Sequence, residues 1–247
     1  MVFPLGDDNT GRTTSPVVNI ALIAINVLVF VVFQGMGSND RFTFAYSTVP
    51  AEILSGKDAV SPDRVVQMQT VTGVEDVRLP GLQPTPVPVY LTLLTSMFMH
   101  GGIAHLLGNM WFLWIFGDNI EHDLGKISYL IFYLACGILA SLAHVFLSTQ
   151  PPASLIPSLG ASGAISGVMG AYLVLHSQRR VMVLLFNFVT QVPGIVAVGL
   201  WFVFQIVSGI GMLGGEGGGV AYGAHIGGFI AGALLVKPFQ AFAGRKE

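Results

Sequence analysis

Six long apolar stretches constrain this chain more than anything else in it: Val17–Phe33, Gly102–Phe116, Ile127–Leu147, Ala161–His176, Gly194–Ile210 and Val220–Val236. Each comes close to the about 20 residues a helix needs to cross a hydrocarbon core, and the shorter ones can borrow neighbours. Composition agrees: 53% of residues are hydrophobic, only 10% are charged, and mean hydropathy is +0.71. Soluble domains carry about 25% charge. The pattern predicts an all-α membrane protein, a six-transmembrane-helix bundle seated in a lipid bilayer. One membrane domain covers 17–237, between a short N-terminal segment (1–16) and a tail (238–247). The connection over about 34–90 is long enough to be functional or disordered rather than inert.

Lysines and arginines set the orientation. With the N-terminus inside, the cytoplasmic segments hold Arg12, Lys126, Arg179, Arg180, Lys237, Arg245 and Lys246. The outer ones hold Arg41, Lys57, Arg64 and Arg78, all in the long first connection, which crosses largely regardless of charge. The short outer connections Ser148–Gly160 and Gly211–Gly219 carry no Lys or Arg, so N-in, C-in is the expected topology. The first stretch lacks the small-residue cleavage site of a signal peptide. The first sixteen residues contain one arginine and two aspartates, unlike a transit peptide, which points to a bacterial plasma membrane. One cysteine, Cys136, excludes an internal disulfide and a cysteine-based metal site. A net charge of -2 and the absence of a basic run give no sign of nucleic-acid binding. Oligomeric state is open.

In this topology the second, fourth and sixth stretches all run from outside to inside. His105 and Asn109 lie near the outer end of the second, Ser162 in the first turn of the fourth, and His225 near the start of the sixth. Polar side chains in lipid are costly, so their gathering at one depth points to function. His105 and Asn109 are four apart and share a helix face. Gly163 and Gly167, and Gly228 and Gly232, each have G-x-x-x-G spacing, which lets two helices approach until their backbones nearly touch. Such an approach is what bringing the Ser162 hydroxyl within about 3 Å of the His225 ring requires. A neutral imidazole then takes the serine proton during attack on a carbonyl and returns it to the leaving amine. Asn109, His105 and the Ser162 backbone N–H are the candidate donors to the resulting oxyanion. Asp118, Glu121 and Asp123 sit at the opposite end of the second stretch, with Glu121 expected to cap the turn there. Glu216, in the outer connection Gly211–Gly219, stays open as a carboxylate partner, but a serine–histidine dyad is the simpler arrangement, and it needs no cofactor or metal. Gln205 in the fifth stretch has no role in this scheme.

Gly160-Ala161-Ser162-Gly163, His100-x₄-His105-x₃-Asn109 and Ala224-His225-Ile226-Gly227-Gly228 together resemble the rhomboid family of intramembrane serine proteases. Gly117-x₃-Glu121-x₃-Gly125 is similar to that family's turn after the second span. The resemblance covers about residues 15–237. It implies Ser162 as nucleophile, His225 as base, and Asn109, His105 and the Ser162 amide as oxyanion donors. It further implies that transmembrane segments of membrane proteins are the substrates, cut near their outer end after a small residue such as alanine. Gly211–Gly219 would correspond to the family's mobile cap and the fifth span to its lateral gate.

Two positions depart from well-known members. An aromatic that stacks on the catalytic histidine is replaced by Ser166, so Tyr222 or backbone packing must hold His225. A Trp-Arg pair in the first outer loop is replaced by Leu91 and Thr92.

Other functions are less well served. H-E-x-x-H is absent, which argues against a metalloprotease, and the spans lack the paired mid-membrane aspartates of an aspartyl protease. A solute transporter is a distant possibility. The serious alternative is a catalytically inactive rhomboid-like protein that binds client transmembrane helices, yet such a binder has no reason to bury Ser162, His225 and Asn109.

Overall fold

The computed structural model describes residues 2–70, 73–213 and 221–243. Among them, six helices of twelve residues or more form the body: α1 (Val17–Leu28, prolonged by a π-helical turn to Phe33), α5 (Ile103–Leu124), α6 (Lys126–Leu147), α7 (Ser162–Leu175), α8 (Gly194–Leu213) and α9 (Tyr222–Ala243). Each grows from one of the six apolar stretches. Short helices α2 (Asp40–Ala45), α3 (Pro50–Ser55) and α4 (Thr92–Thr95) lie in the long connection between α1 and α5.

The surface is inverted relative to a soluble protein. Val32, Leu107, Val207 and Leu234 are 60–70% exposed, while Asn19, Asn26 and Glu121 are at most 2% exposed. Burying those polar groups is tolerable because most of them are paired. The Glu121 carboxylate accepts the backbone N–H groups of Val18 (3.0 Å) and Asn19 (2.7 Å), and so caps α1 from a different helix. Helix α1 needs this, because Pro16 before it supplies no side-chain cap. Asn19 in turn donates to the Leu113 carbonyl at 3.0 Å and accepts from Tyr129 Oη at 2.7 Å, tying α1, α5 and α6 together. Gly117 leaves the room: a Cβ there would lie 2.1 Å from Asn19 Oδ1. Gly125, with φ at 73°, is the single residue between α5 and α6. Glu121 was expected to cap that turn, and its backbone carbonyl does accept from Gly125 N–H, but its side chain serves α1.

A β-sheet is an addition to the expected all-α fold. Strands β1 (Val2–Asp7), β4 (Arg180–Leu185) and β5 (Phe188–Pro193) pair antiparallel in the order β1-β4-β5. The N-terminal segment is therefore built into the fold at the end of the bundle far from Ser162. Trp111 Nε1 on α5 donates to the Pro4 carbonyl at 2.8 Å, and Asp7 Oδ2 accepts from Asn119 Nδ2 (2.7 Å) and Tyr172 Oη (2.9 Å). Arg12 pairs with Asp118, and Arg179 donates to Asn119 Oδ1. Burial pushes the Asp7 carboxyl from 3.8 up to about 6. The folded state therefore holds this proton more tightly than the unfolded chain, and the stability Asp7 contributes declines as pH rises from about 4 to about 6. Asp7→Asn should flatten that part of a melting-temperature profile measured in detergent. An unchanged profile would show that the carboxyl titrates as if exposed.

The long connection is ordered where it is described. Asn39 caps α2, Pro50 opens α3, Gly56 closes it in the left-handed region, and β2 (Arg64–Thr70) pairs with β3 (Gly73–Leu79). Gln34, fully buried, clamps the backbone of His100 at both ends: its Oε1 accepts the His100 N–H and its Nε2 donates to the His100 carbonyl, each at 2.9 Å. This fixes the break at Met99–Gly102, where the Val89–Phe98 segment meets α5 at 80°.

Helix α7 is the axis of the bundle. Its residues Gly163–Tyr172 are all buried, as expected of a helix apolar on every side. It rises only about 21 Å at 1.5 Å per residue, less than α5, α6, α8 or α9.

Candidate active site

The chain enters α7 through Gly160, whose φ of 122° suits glycine and whose N–H donates to the Ser96 carbonyl at 2.9 Å. Ser162 is the first helical residue, so its amide is among those with no acceptor inside the helix. Helix α9 opens at Tyr222, two residues after the start of the Val220–Val236 stretch, and His225 falls in its first turn.

The two helices touch main chain to main chain. A Cβ on Gly228 would come 2.1 Å from the Gly163 carbonyl oxygen, and one on Gly232 would come 1.9 Å from that of Gly167. Held this closely, His225 Nε2 lies 2.7 Å from Ser162 Oγ. The other ring nitrogen, Nδ1, lies 2.7 Å from Gln205 Oε1 on α8. Trp201 of α8 and Tyr222 flank the imidazole at centroid distances of 6.1 and 6.2 Å, the tyrosine edge-on. Ser166 does not reach the imidazole; its hydroxyl donates to the Ser162 carbonyl at 2.6 Å. Tyr222 is thus one neighbour of His225, as expected, but the polar partner is Gln205, to which the sequence pattern gave no role. A lone amide in an otherwise apolar helix was the available signal.

Asn109 and His105 stand on the other side of the Gly160 turn. A Cβ on Gly160 would lie 2.9 Å from His105 Nε2 and 3.6 Å from Asn109 Nδ2. Asn109 is buried, and its Nδ2 has no hydrogen-bond partner. A buried donor left unpaired costs about 1–3 kcal/mol, a deficit that an arriving oxyanion would remove. His105 is exposed, and its Nδ1 is 3.4 Å from the Gly101 amide. His100 is fully buried against it, edge to face at 5.2 Å, with neither ring nitrogen partnered. A hollow of about 20 Å³, room for one water, lies beside Ser162 and is lined by Ser96, Ser141 and Ser158 among others. The Gly211–Gly219 loop falls largely on residues 214–220, outside the described ones, as does Glu216. Among the described residues no group of three or more His, Cys, Asp or Glu could hold a metal ion.

A helical bundle with an apolar exterior defines a class, that of helical membrane proteins, and this one carries a part-buried serine hydroxyl within hydrogen-bond reach of an imidazole. The Rhomboid domain family model matches residues 88–241, most of the chain, and this chain belongs to the rhomboid family. The matched region begins after α1 and most of the connection that follows it. Rhomboid protease GluP of Bacillus subtilis is 38% identical over 154 residues, 62% of this chain and 28% of that protein. Rhomboid protein 1, mitochondrial, of Saccharomyces cerevisiae is 31% identical over 159 residues, 62% of this chain and 43% of that protein. RHOMBOID-like protein 4 of Arabidopsis thaliana is 34% identical over 168 residues, 63% of this chain and 36% of that protein. The chain thus spans less than half the length of these relatives.

Proposed function

We propose that this protein is an intramembrane serine endopeptidase that hydrolyses peptide bonds in or near transmembrane segments of membrane proteins. The observation that carries the proposal is the 2.7 Å contact between Ser162 Oγ and His225 Nε2. His225 takes the Ser162 proton as Oγ attacks the scissile carbonyl. The negative oxygen of the tetrahedral intermediate is received by Asn109 Nδ2, the Ser162 amide at the N-terminus of α7, and His105. Collapse expels the amine with the proton returned by His225, and a water repeats the sequence on the acyl-enzyme. The same proposal includes six spans, N-in and C-in, in a bacterial plasma membrane. A helix of about 21 Å does not fill a hydrocarbon core of about 30 Å, so α7 has room to begin below the outer boundary, where Ser162 would meet a membrane-embedded segment.

A serine-directed fluorophosphonate and a panel of membrane-helix reporters test the reading on protein purified into lipid. Labelling that depends on Ser162, with cut sites mapped by mass spectrometry, supports it. Wild type that neither labels nor cuts under any lipid condition favours the inactive client-binding alternative. Asn109→Ala should lower turnover about 100- to 1,000-fold while leaving KM within about twofold. A change confined to KM would remove Asn109 from the oxyanion site.

A further inference from the structure

We infer that Gln205 is the third member of the catalytic group, a positioning residue that fixes the tautomer and the orientation of His225. The inference rests on the proposed chemistry of Ser162 and His225 but comes from a separate contact. Gln205 Oε1 lies 2.7 Å from His225 Nδ1, on the side of the ring opposite Ser162, and the Gln205 side chain is almost fully buried at 5% exposure. An amide oxygen only accepts, so Nδ1 carries the proton. A neutral imidazole has one N–H, so Nε2 presents its lone pair to the Ser162 hydroxyl, which is the state a general base requires. Without Gln205 the two tautomers and the two ring flips compete, and only one of those arrangements can take the serine proton.

Other neighbours do not supply this. Trp201 and Tyr222 pack the ring from 6.1 and 6.2 Å but offer no acceptor at Nδ1, and Ser166 is bonded to the Ser162 carbonyl. When the Ser162 proton moves to Nε2, the Nδ1–H···O bond becomes charge-assisted and stronger, while the Nδ1 proton stays on the ring. A neutral amide stabilises the imidazolium less than a carboxylate would, but it places no formal charge in an apolar interior. Gln205 also comes from α8, not from α7 or α9, so the base is complete only when α8 is seated against α9. Phe202 stacking on Phe229 at 4.0 Å holds that seat.

The test compares two replacements of similar length in the full chain in lipid. Gln205→Met keeps the shape and removes the acceptor; Gln205→Glu keeps an acceptor oxygen. Loss of a hydrogen bond to an ionising group predicts that the Met variant loses about 10- to 100-fold in kcat and in fluorophosphonate labelling rate, with KM within about twofold. The Glu variant should stay within about fivefold of wild type, since a shared acceptor restores the orientation. A role in packing alone predicts the reverse order, and a Met variant as fast as wild type overturns the inference. Nitrogen-15 spectra of histidine-labelled protein read the tautomer directly, with the His225 signals assigned by their loss in His225→Asn. Wild type should show a protonated Nδ1 and the Met variant a mixture; a wild type protonated at Nε2 also overturns the inference. Should wild type neither label nor cleave, the proposed function fails, and these spectra still decide the place of Gln205.

Discussion

Ser162→Ala and His225→Ala are each expected to reduce cleavage of a membrane-helix reporter by about 10,000-fold or more, with melting temperature close to wild type. The serine hydroxyl and the imidazole share one proton across 2.7 Å, so removing either end removes the same step. For that reason the double substitution should be hardly slower than either single one, because groups that act as a unit are strongly non-additive. Rates measured for the four proteins, at substrate well below KM, give the cycle. Losses that multiply would mean that Ser162 and His225 act independently and that the contact is not the chemical one.

Gly232→Ala should have the largest effect of any single methyl in the bundle. The added Cβ would stand 1.9 Å from the Gly167 carbonyl oxygen and 2.5 Å from Gly167 Cα, both main-chain atoms that no rotamer change can move. The helices must separate, at a cost of about 1–3 kcal/mol for overpacking, and the separation is transmitted to Ser162 and His225 at the same interface. Labelling by a fluorophosphonate should therefore fall far more than stability does, since a shift of about 1 Å at the site costs about 100-fold. Gly199→Ala on α8 is the control: nothing lies within 4 Å of its Cβ position, and alanine suits a helix better than glycine. If Gly232→Ala labels like wild type while Gly199→Ala does not, the close approach of α7 and α9 is not what sets the site.

The helices were legible because apolar runs of membrane length have few other destinations. Val17, Ala161 and Leu147 mark ends that α1, α7 and α6 keep to within a residue. Helix α5 runs on to Leu124, eight residues past the apolar pattern, through Asp118, Asn119, Glu121 and Asp123. Hydropathy counts these as polar, but three of them are buried against partners on other segments, Arg12, Asp7 and the start of α1. The β1-β4-β5 sheet was missed for a related reason: β1 and β4 pair across more than 170 residues, and six-residue strands carry little periodicity. In the site, the small residues and the shared depth brought Ser162 and His225 together on paper. Gln205 escaped because its meaning lies in a nitrogen on a different helix, and Tyr222 was only one of several possible neighbours for the imidazole.

Because Gly228 and Gly232 rest on carbonyls rather than on side chains, the gap between nucleophile and base is measured by a ruler made of peptide groups. Residues on the outer faces of α5, α8 and α9 take no part in that measurement. A designer could rewrite them to suit a thicker or thinner bilayer, or a different client, and leave the reactive distance where it is.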